Sequence, residues 1–442
     1  MKLSIRSNMI YFVLFILICC LLTASGFSQQ FPSVIGLITV IFITFFVFSY
    51  SSKEVRSKND ILILAVSFVA KLSYLLYRML YSYGTSITDP SLSADARRFW
   101  NHALLLYQGN AVSTDTRFPY VLNAEFHVFG PNILCVLLFN IFLTMVMAFF
   151  VIKLLNRYAV IGKYKIISLA VCSLLPYEII VSCSLLRESV YFVFIILSFY
   201  YYQKYIDKGN YKYLLFALVI IIPVFLLHAG YFPIVIVYFI DSFRHDRPKT
   251  SNQLLMRILL IISLFGLLIL GIKMDSTGGG YVSRGVSGII NKVTGEQGSS
   301  YSSEAGSRYL EGLTINSIPT LIIYAPIRAL YFLFSPLPTN WRGVSDVFAF
   351  IVDGCVHFYV IYSALKARKK LKRLICDSKD IVFYQYYRLI NVGLYIILAV
   401  VFVFCLNTNN AGTAIRHRDV LIGIEAVMMG LSLKIRSDIH RA

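Results

Sequence analysis

PNILCVLLFNIFLTMVMAFFVIKLL, residues 131–155, carries a single charged side chain, Lys153, near its end. A helix rises 1.5 Å per residue, so about 20 apolar residues match the hydrocarbon thickness of a bilayer. Lipid offers no partner to a bare backbone amide, and a stretch of this kind must therefore close its hydrogen bonds as a helix. Similar blocks recur on both sides of it. They run over 9–26, 32–50, 61–80, 166–184, 190–205, 213–227, 231–243, 254–272, 318–334, 347–365, 384–406 and 420–433. The first has a basic start, Lys2 and Arg6, and small residues after it, in the manner of a signal peptide. A second apolar block follows at once, so the first reads as an uncleaved span.

Composition agrees with this reading. Of the 442 residues, 58% are hydrophobic and 14% charged, with a mean hydropathy of +0.71. A soluble domain covers its core with roughly a quarter charged residues. The pattern predicts an all-α, polytopic integral membrane protein: one membrane domain over 1–442 with about 12 transmembrane helices.

The lysines and arginines orient it. Basic loops lie at 53–58, 153–165, 204–212, 244–249 and, most densely, 366–373. Placing all five in the cytoplasm puts both termini there. The formal charge of +19 is then a topology signal, and with no compact basic domain or stacking platform it does not predict nucleic-acid binding. Parity requires one irregular segment. Residues 318–334 contain Pro319, Pro326 and Arg328 and are expected to be broken or re-entrant, lining a polar cavity. The rival, one broken span over 213–243, would move the 244–249 loop outside.

The external side then holds two long loops. Residues 82–130 include Asp89, Asp95, Arg97 and Arg98, with an amphipathic helix expected over 94–108 lying along the interface through Phe99, Trp100, Leu104 and Leu105. Residues 274–316 are rich in Gly and Ser and suggest a mobile lid or a partly disordered loop. The eight cysteines show neither metal-ligand spacing nor a disulfide framework. Walker A and GxGxxG patterns are absent, and no cofactor is expected.

Ionisable residues near membrane depth are costly and mark candidate sites. Arg187-Glu188 interrupts two apolar blocks; the bland alternative is a turn whose charges sit in water. His228 lies between two apolar halves, where a structural hydrogen bond is the alternative to proton transfer. Arg328 follows Pro326 and could snorkel to the surface. Arg416 and Arg418 stand just before the last block. Arginine forks match phosphate oxygens, and several together would neutralise a diphosphate. Glu188, His228 or Asp95 would serve as a base toward a sugar hydroxyl.

Four pieces of the chain resemble the bacterial oligosaccharide repeat-unit polymerases, the Wzy-type O-antigen, capsule and exopolysaccharide enzymes. They are Ser184-Leu185-Leu186-Arg187-Glu188-Ser189, Leu227-His228-Ala229-Gly230, the stretch from Ala329 to Pro338, and Gly412-Thr413-Ala414-Ile415-Arg416-His417-Arg418. The resemblance implies a membrane glycosyltransferase with a GT-C-like helical body in the cytoplasmic membrane. It would join polyprenyl-diphosphate-linked oligosaccharides at the outer face, with flippase and chain-length regulator proteins as partners. Matched by position, it points to Arg187, His228, Arg416 and Arg418; Glu188, Asp95 and Arg328 are added from their charge and place. Two other readings stay open. A GT-C transferase using a polyprenyl-phosphate sugar would employ Asp89 or Asp95. A lipid-linked oligosaccharide flippase would show pseudo-symmetric halves, and no internal repeat is visible.

Overall fold

The computed structural model describes residues 57–81, 94–114, 116–245, 308–310, 315–378 and 380–438, with single positions at 254, 258 and 313. The expected spans at 9–26 and 32–50, all but two positions of 254–272, Asp89 with the start of the first loop (82–93), and most of the second loop (274–307) lie outside these residues. The described chain is helical. Its β-pairing is one isolated antiparallel bridge, Arg308 to Asn410.

Two compact units are present, Met1–Ile196 and Leu197–Ala442. The first contains helices α1 (Lys58–Tyr81), α2 (Ala94–Tyr107), α3 (Phe118–Phe129), α4 (Ile133–Arg157), α5 (Gly162–Ser173) and α6 (Pro176–Ser182). The division falls inside α7 (Glu188–Lys208). The second unit continues with α8 (Tyr211–Leu227), α9 (Pro233–His245), α10 (Ile318–Phe334), α11 (Val344–Ala349), α12 (Cys355–Ser378), α13 (Ile381–Asn407), α14 (Ala411–Asp419) and α15 (Ile422–Asp438).

Among the described residues, four helices are long and apolar enough to cross a bilayer: Lys58–Arg78, Ile133–Arg157, Asp346–Ser378 and Ile381–Asn407. Gly162–Ser173 and Pro176–Ser182 make a fifth if counted as one span bent by 47°. Among the described residues this is fewer than the expected dozen, in part because the blocks at 9–26, 32–50 and most of 254–272 lie outside them and in part because apolar blocks are not always single helices. Block 166–184 breaks ahead of Pro176, whose ring forbids the helical hydrogen bond that would carry the chain through. Residues 318–334 differ in the opposite direction. Expected to be broken or re-entrant, they form one unbroken helix of 17 residues with Pro326 inside it. Pro319 sits in its first turn, where an amide hydrogen is not needed, and Ser317 and Thr320 close a capping box.

In the first unit α4 is apolar on every side and is largely buried, as such helices are. Asn132 caps it, its Oδ1 accepting from Leu134 N at 2.9 Å and Cys135 N at 3.3 Å. Lys71 of α1, with no exposed surface, pairs with Glu178 of α6 at 2.8 Å and donates to Thr144 of α4 at 3.0 Å. That pair ties three helices together. Arg78 donates to the Cys183 carbonyl at 2.6 Å and to Ser184 Oγ at 2.7 Å, closing the end of α6. Lys165, read from sequence as a loop cation, is instead buried against Asp60 and Asn156.

The amphipathic helix α2 does not offer its aromatic face to an interface. Phe99 packs edge-on against Phe118 at 5.3 Å, and Trp100 against Phe126 at 4.8 Å. Helix α3, not anticipated from sequence, covers that face, while Leu105 remains exposed.

Candidate functional site

The candidate residues of the second unit gather around the C-terminal ends of α10 and α13. A helix leaves its last carbonyls without intrahelical partners. Two arginines supply them. Arg328 donates from Nε to Cys405 O at 2.9 Å, from Nη1 to Leu313 O at 3.0 Å and from Nη2 to Thr408 O at 3.4 Å, with Asn409 Oδ1 as a further acceptor. Arg418 gives Nη1 to the carbonyls of Phe332, Leu333 and Ser335, at 3.3, 2.8 and 2.8 Å. Both side chains are buried. To reach a ligand, Arg328 would have to leave those carbonyls, whereas Arg418 engages them through Nη1 alone. Snorkelling does not describe Arg328, because its fork ends on backbone inside the protein.

His228 and His417 meet at the same place. Their rings lie 5.1 Å apart, nearly perpendicular. Phe404 of α13 forms the wall behind them, stacked on His417 at 4.2 Å and tilted against His228 at 5.0 Å. Tyr231 completes the group, with its hydroxyl 3.4 Å from His417 Nδ1. The 3-10 turn Ala229–Tyr231 brings His228 here, and Gly230 lets it approach. A Cβ on Gly230 would sit 2.5 Å from Phe404 Cζ.

The His228 ring is held in one tautomer. Its Nδ1 accepts from Gly230 N–H at 3.2 Å, so the neutral imidazole carries its proton on Nε2. It therefore presents a donor at Nε2. Arg416 lies one position before His417 on α14 and, unlike Arg418, is half-buried. Asn410 caps this helix, its Oδ1 accepting from Gly412 N at 2.8 Å and Thr413 N at 3.3 Å.

The remaining candidates belong to the first unit. Arg187 is half-buried; Nη1 is 3.4 Å from Thr116 Oγ1 and the guanidinium stands 6.0 Å from the Phe99 ring. Glu188 opens α7 with no exposed surface, so the pair does not sit as a turn in water. A carboxylate in a first helical turn is favoured by the helix dipole. Asp95 is partly exposed and lies 3.4 Å from Arg98, one turn on. Nearby in sequence, burial pushes the Glu125 carboxyl of α3 up to about 8.

One group escaped the sequence reading. Asp353, His357, Asp419 and Glu425 are all buried in the second unit. His357 Nε2 is 2.8 Å from Asp419 Oδ1, and Nδ1 is 2.6 Å from Glu425 Oε2. The signal was available, because Asp353 and His357 stand four apart within the apolar block 347–365 and Glu425 within 420–433.

Compared with known proteins, the chain matches no family model and has no significant match among curated proteins or solved structures.

Proposed function

We propose that this chain is a repeat-unit polymerase of the Wzy type, with a GT-C-like helical body of about a dozen spans and cytoplasmic termini. It joins polyprenyl-diphosphate-linked oligosaccharides at the outer face of a bacterial cytoplasmic membrane. The observation that carries the reading is the convergence of His228 with the 416–418 stretch, two pieces of the sequence resemblance nearly two hundred residues apart, beside Phe404.

In this reading a hydroxyl of one lipid-linked unit attacks the anomeric carbon of another. A new C–O bond forms, the bond from that carbon to the diphosphate oxygen breaks, and the hydroxyl proton passes to the departing diphosphate. Arg416 and the His228 Nε2–H supply donors where negative charge grows on the departing diphosphate. A donor placed at such a point typically contributes about 3–4 kcal/mol. Arg328 and Arg418 act as positioning residues, holding the ends of α13 and α10 that frame the site. The test is polymer made per unit of folded protein. Arg416→Ala and His228→Ala should each lower it at least about tenfold with membrane protein retained. Full polymer from the double variant would overturn the assignment.

A further inference from the structure

The buried group around His357 can be counted in protons. Both ring nitrogens face carboxylate oxygens, Asp419 Oδ1 at 2.8 Å and Glu425 Oε2 at 2.6 Å. Each of those contacts needs a hydrogen between nitrogen and oxygen. Two protons are therefore shared among one imidazole and two carboxyls, either as an imidazolium with two carboxylates or as a neutral ring with one carboxylic acid. The guanidinium of Arg418 lies beside them, with Nε 3.5 Å from Asp419 Oδ1.

Asp353 adds a third carboxyl. It interacts electrostatically with Asp419, His357 and Arg418, is 2% exposed, and its Oδ1 has no hydrogen-bond partner. Asp419 Oδ2 and Arg418 Nη2 are likewise unpartnered. With every carboxyl ionised, Arg418 and an imidazolium would face three negative charges. The surplus charge would sit within a helix apolar enough to span a membrane, Asp346–Ser378. A buried carboxylate without its own counter-ion is relieved by taking up a proton. Among the described residues, no grouping of His, Cys, Asp and Glu side chains is arranged to hold a metal ion.

The backbone is shaped around the same residue. Asp353 lies in a π-helical turn, Phe350–Gly354, within this otherwise α-helical segment. Such turns are rare and concentrate at functional sites. Gly354 brings the turn close to α10, where an added Cβ would lie 3.3 Å from the Phe334 carbonyl. The carbonyls held by Arg418 flank that position.

We propose that Asp353, His357, Asp419, Glu425 and Arg418 form a buried proton-binding site, in which Asp353 carries one exchangeable proton beyond the two shared by His357. The inference does not rest on the polymerase reading, since it follows from the contacts of His357 and from the burial and charges of these five side chains. Arg418 links the site to the end of α10, so loading or losing the proton changes the charge facing an arginine that holds three carbonyls there.

Infrared difference spectroscopy tests it on the full chain in lipid nanodiscs, between about pH 5 and about pH 9, in H2O and D2O. Glu125→Gln serves as the background, because Glu125 would give a protonated-carboxyl band of its own. The expected result is a carboxylic-acid C=O band that shifts down in D2O, titrates, and is lost in Asp353→Asn. Should Asp353→Asn fail to fold, Asp353→Glu keeps the carboxyl and should move the band. A titrating band unchanged by either substitution, or no such band at all, would overturn the proposal.

Discussion

Arg328 donates its Nε–H to the Cys405 carbonyl at 2.9 Å, closing the end of helix α13 from the middle of helix α10. The same side chain also bonds Leu313 and Thr408. A charge-assisted hydrogen bond contributes roughly 1.5–3 kcal/mol, and a buried acceptor left unmade carries its own cost. Arg328→Ala is thus expected to cost at least about 3 kcal/mol. Arg328→Lys should rescue poorly, because one ammonium cannot reproduce the planar fork. Yield of monodisperse protein and its thermal midpoint in detergent measure both. Normal yield from Arg328→Ala would show that the carbonyls find other partners.

Phe404 is the common wall of the His228, Tyr231 and His417 cluster. Truncating a buried Phe to Ala typically costs about 3–5 kcal/mol. Phe404→Ala should lower stability by that order, and activity by more than the folded fraction explains, because both histidines lose their backing. Phe404→Tyr should keep stability better than Phe404→Ala. Comparing polymer per folded protein with the thermal midpoint separates the two effects.

Glu125 makes stability depend on pH. Its carboxyl is raised from an ordinary value of 4.5 to about 8 by burial. The folded state therefore holds a proton that the unfolded state has already released, and stability falls as pH rises from about 4.5 to about 8, then levels. Hydrogen exchange of the amides in α2 and α3 should accelerate over that window beyond the intrinsic base catalysis. Glu125→Gln should remove the extra dependence and protect the hairpin at alkaline pH. Identical corrected exchange in the two proteins would contradict it.

Arg416 and Arg418 are separated by one residue but differ in burial, and they should respond differently. Arg418→Ala leaves three carbonyls at the end of α10, those of Phe332, Leu333 and Ser335, without their donor and is expected to reduce protein yield. Arg416→Ala should leave yield largely intact and lower polymer at least about tenfold. Equal losses of yield would assign both arginines to the fold.

The helical class was legible because apolar blocks leave the backbone no alternative in lipid, as 131–155 illustrates. Block length did not translate into span count. Block 166–184 bends by 47° between Ser173 and Pro176, whereas 318–334 stays one helix although it contains Pro326. Proline reads alike in both; capping and tertiary contacts decide what it does. His228 and Arg416-His417-Arg418 stood out as polar interruptions, and their meeting could not be read because contact across nearly two hundred residues has no local signature. Asp353 and His357 were legible as polar residues inside an apolar block, but their meeting with Asp419 and Glu425 was hidden for the same reason. Helix α3 was missed because Phe118–Phe129 is short and begins at Phe-Pro, which resembles loop punctuation until α2 covers it.

The most direct measurement is the length and sidedness of lipid-linked oligosaccharides in cells lacking this chain. The polymerase account predicts single complete repeat units accumulating at the outer face, with longer chains restored by the wild-type protein and not by Arg416→Ala. Complete units held at the inner face, or outer-face units one sugar short, would contradict it.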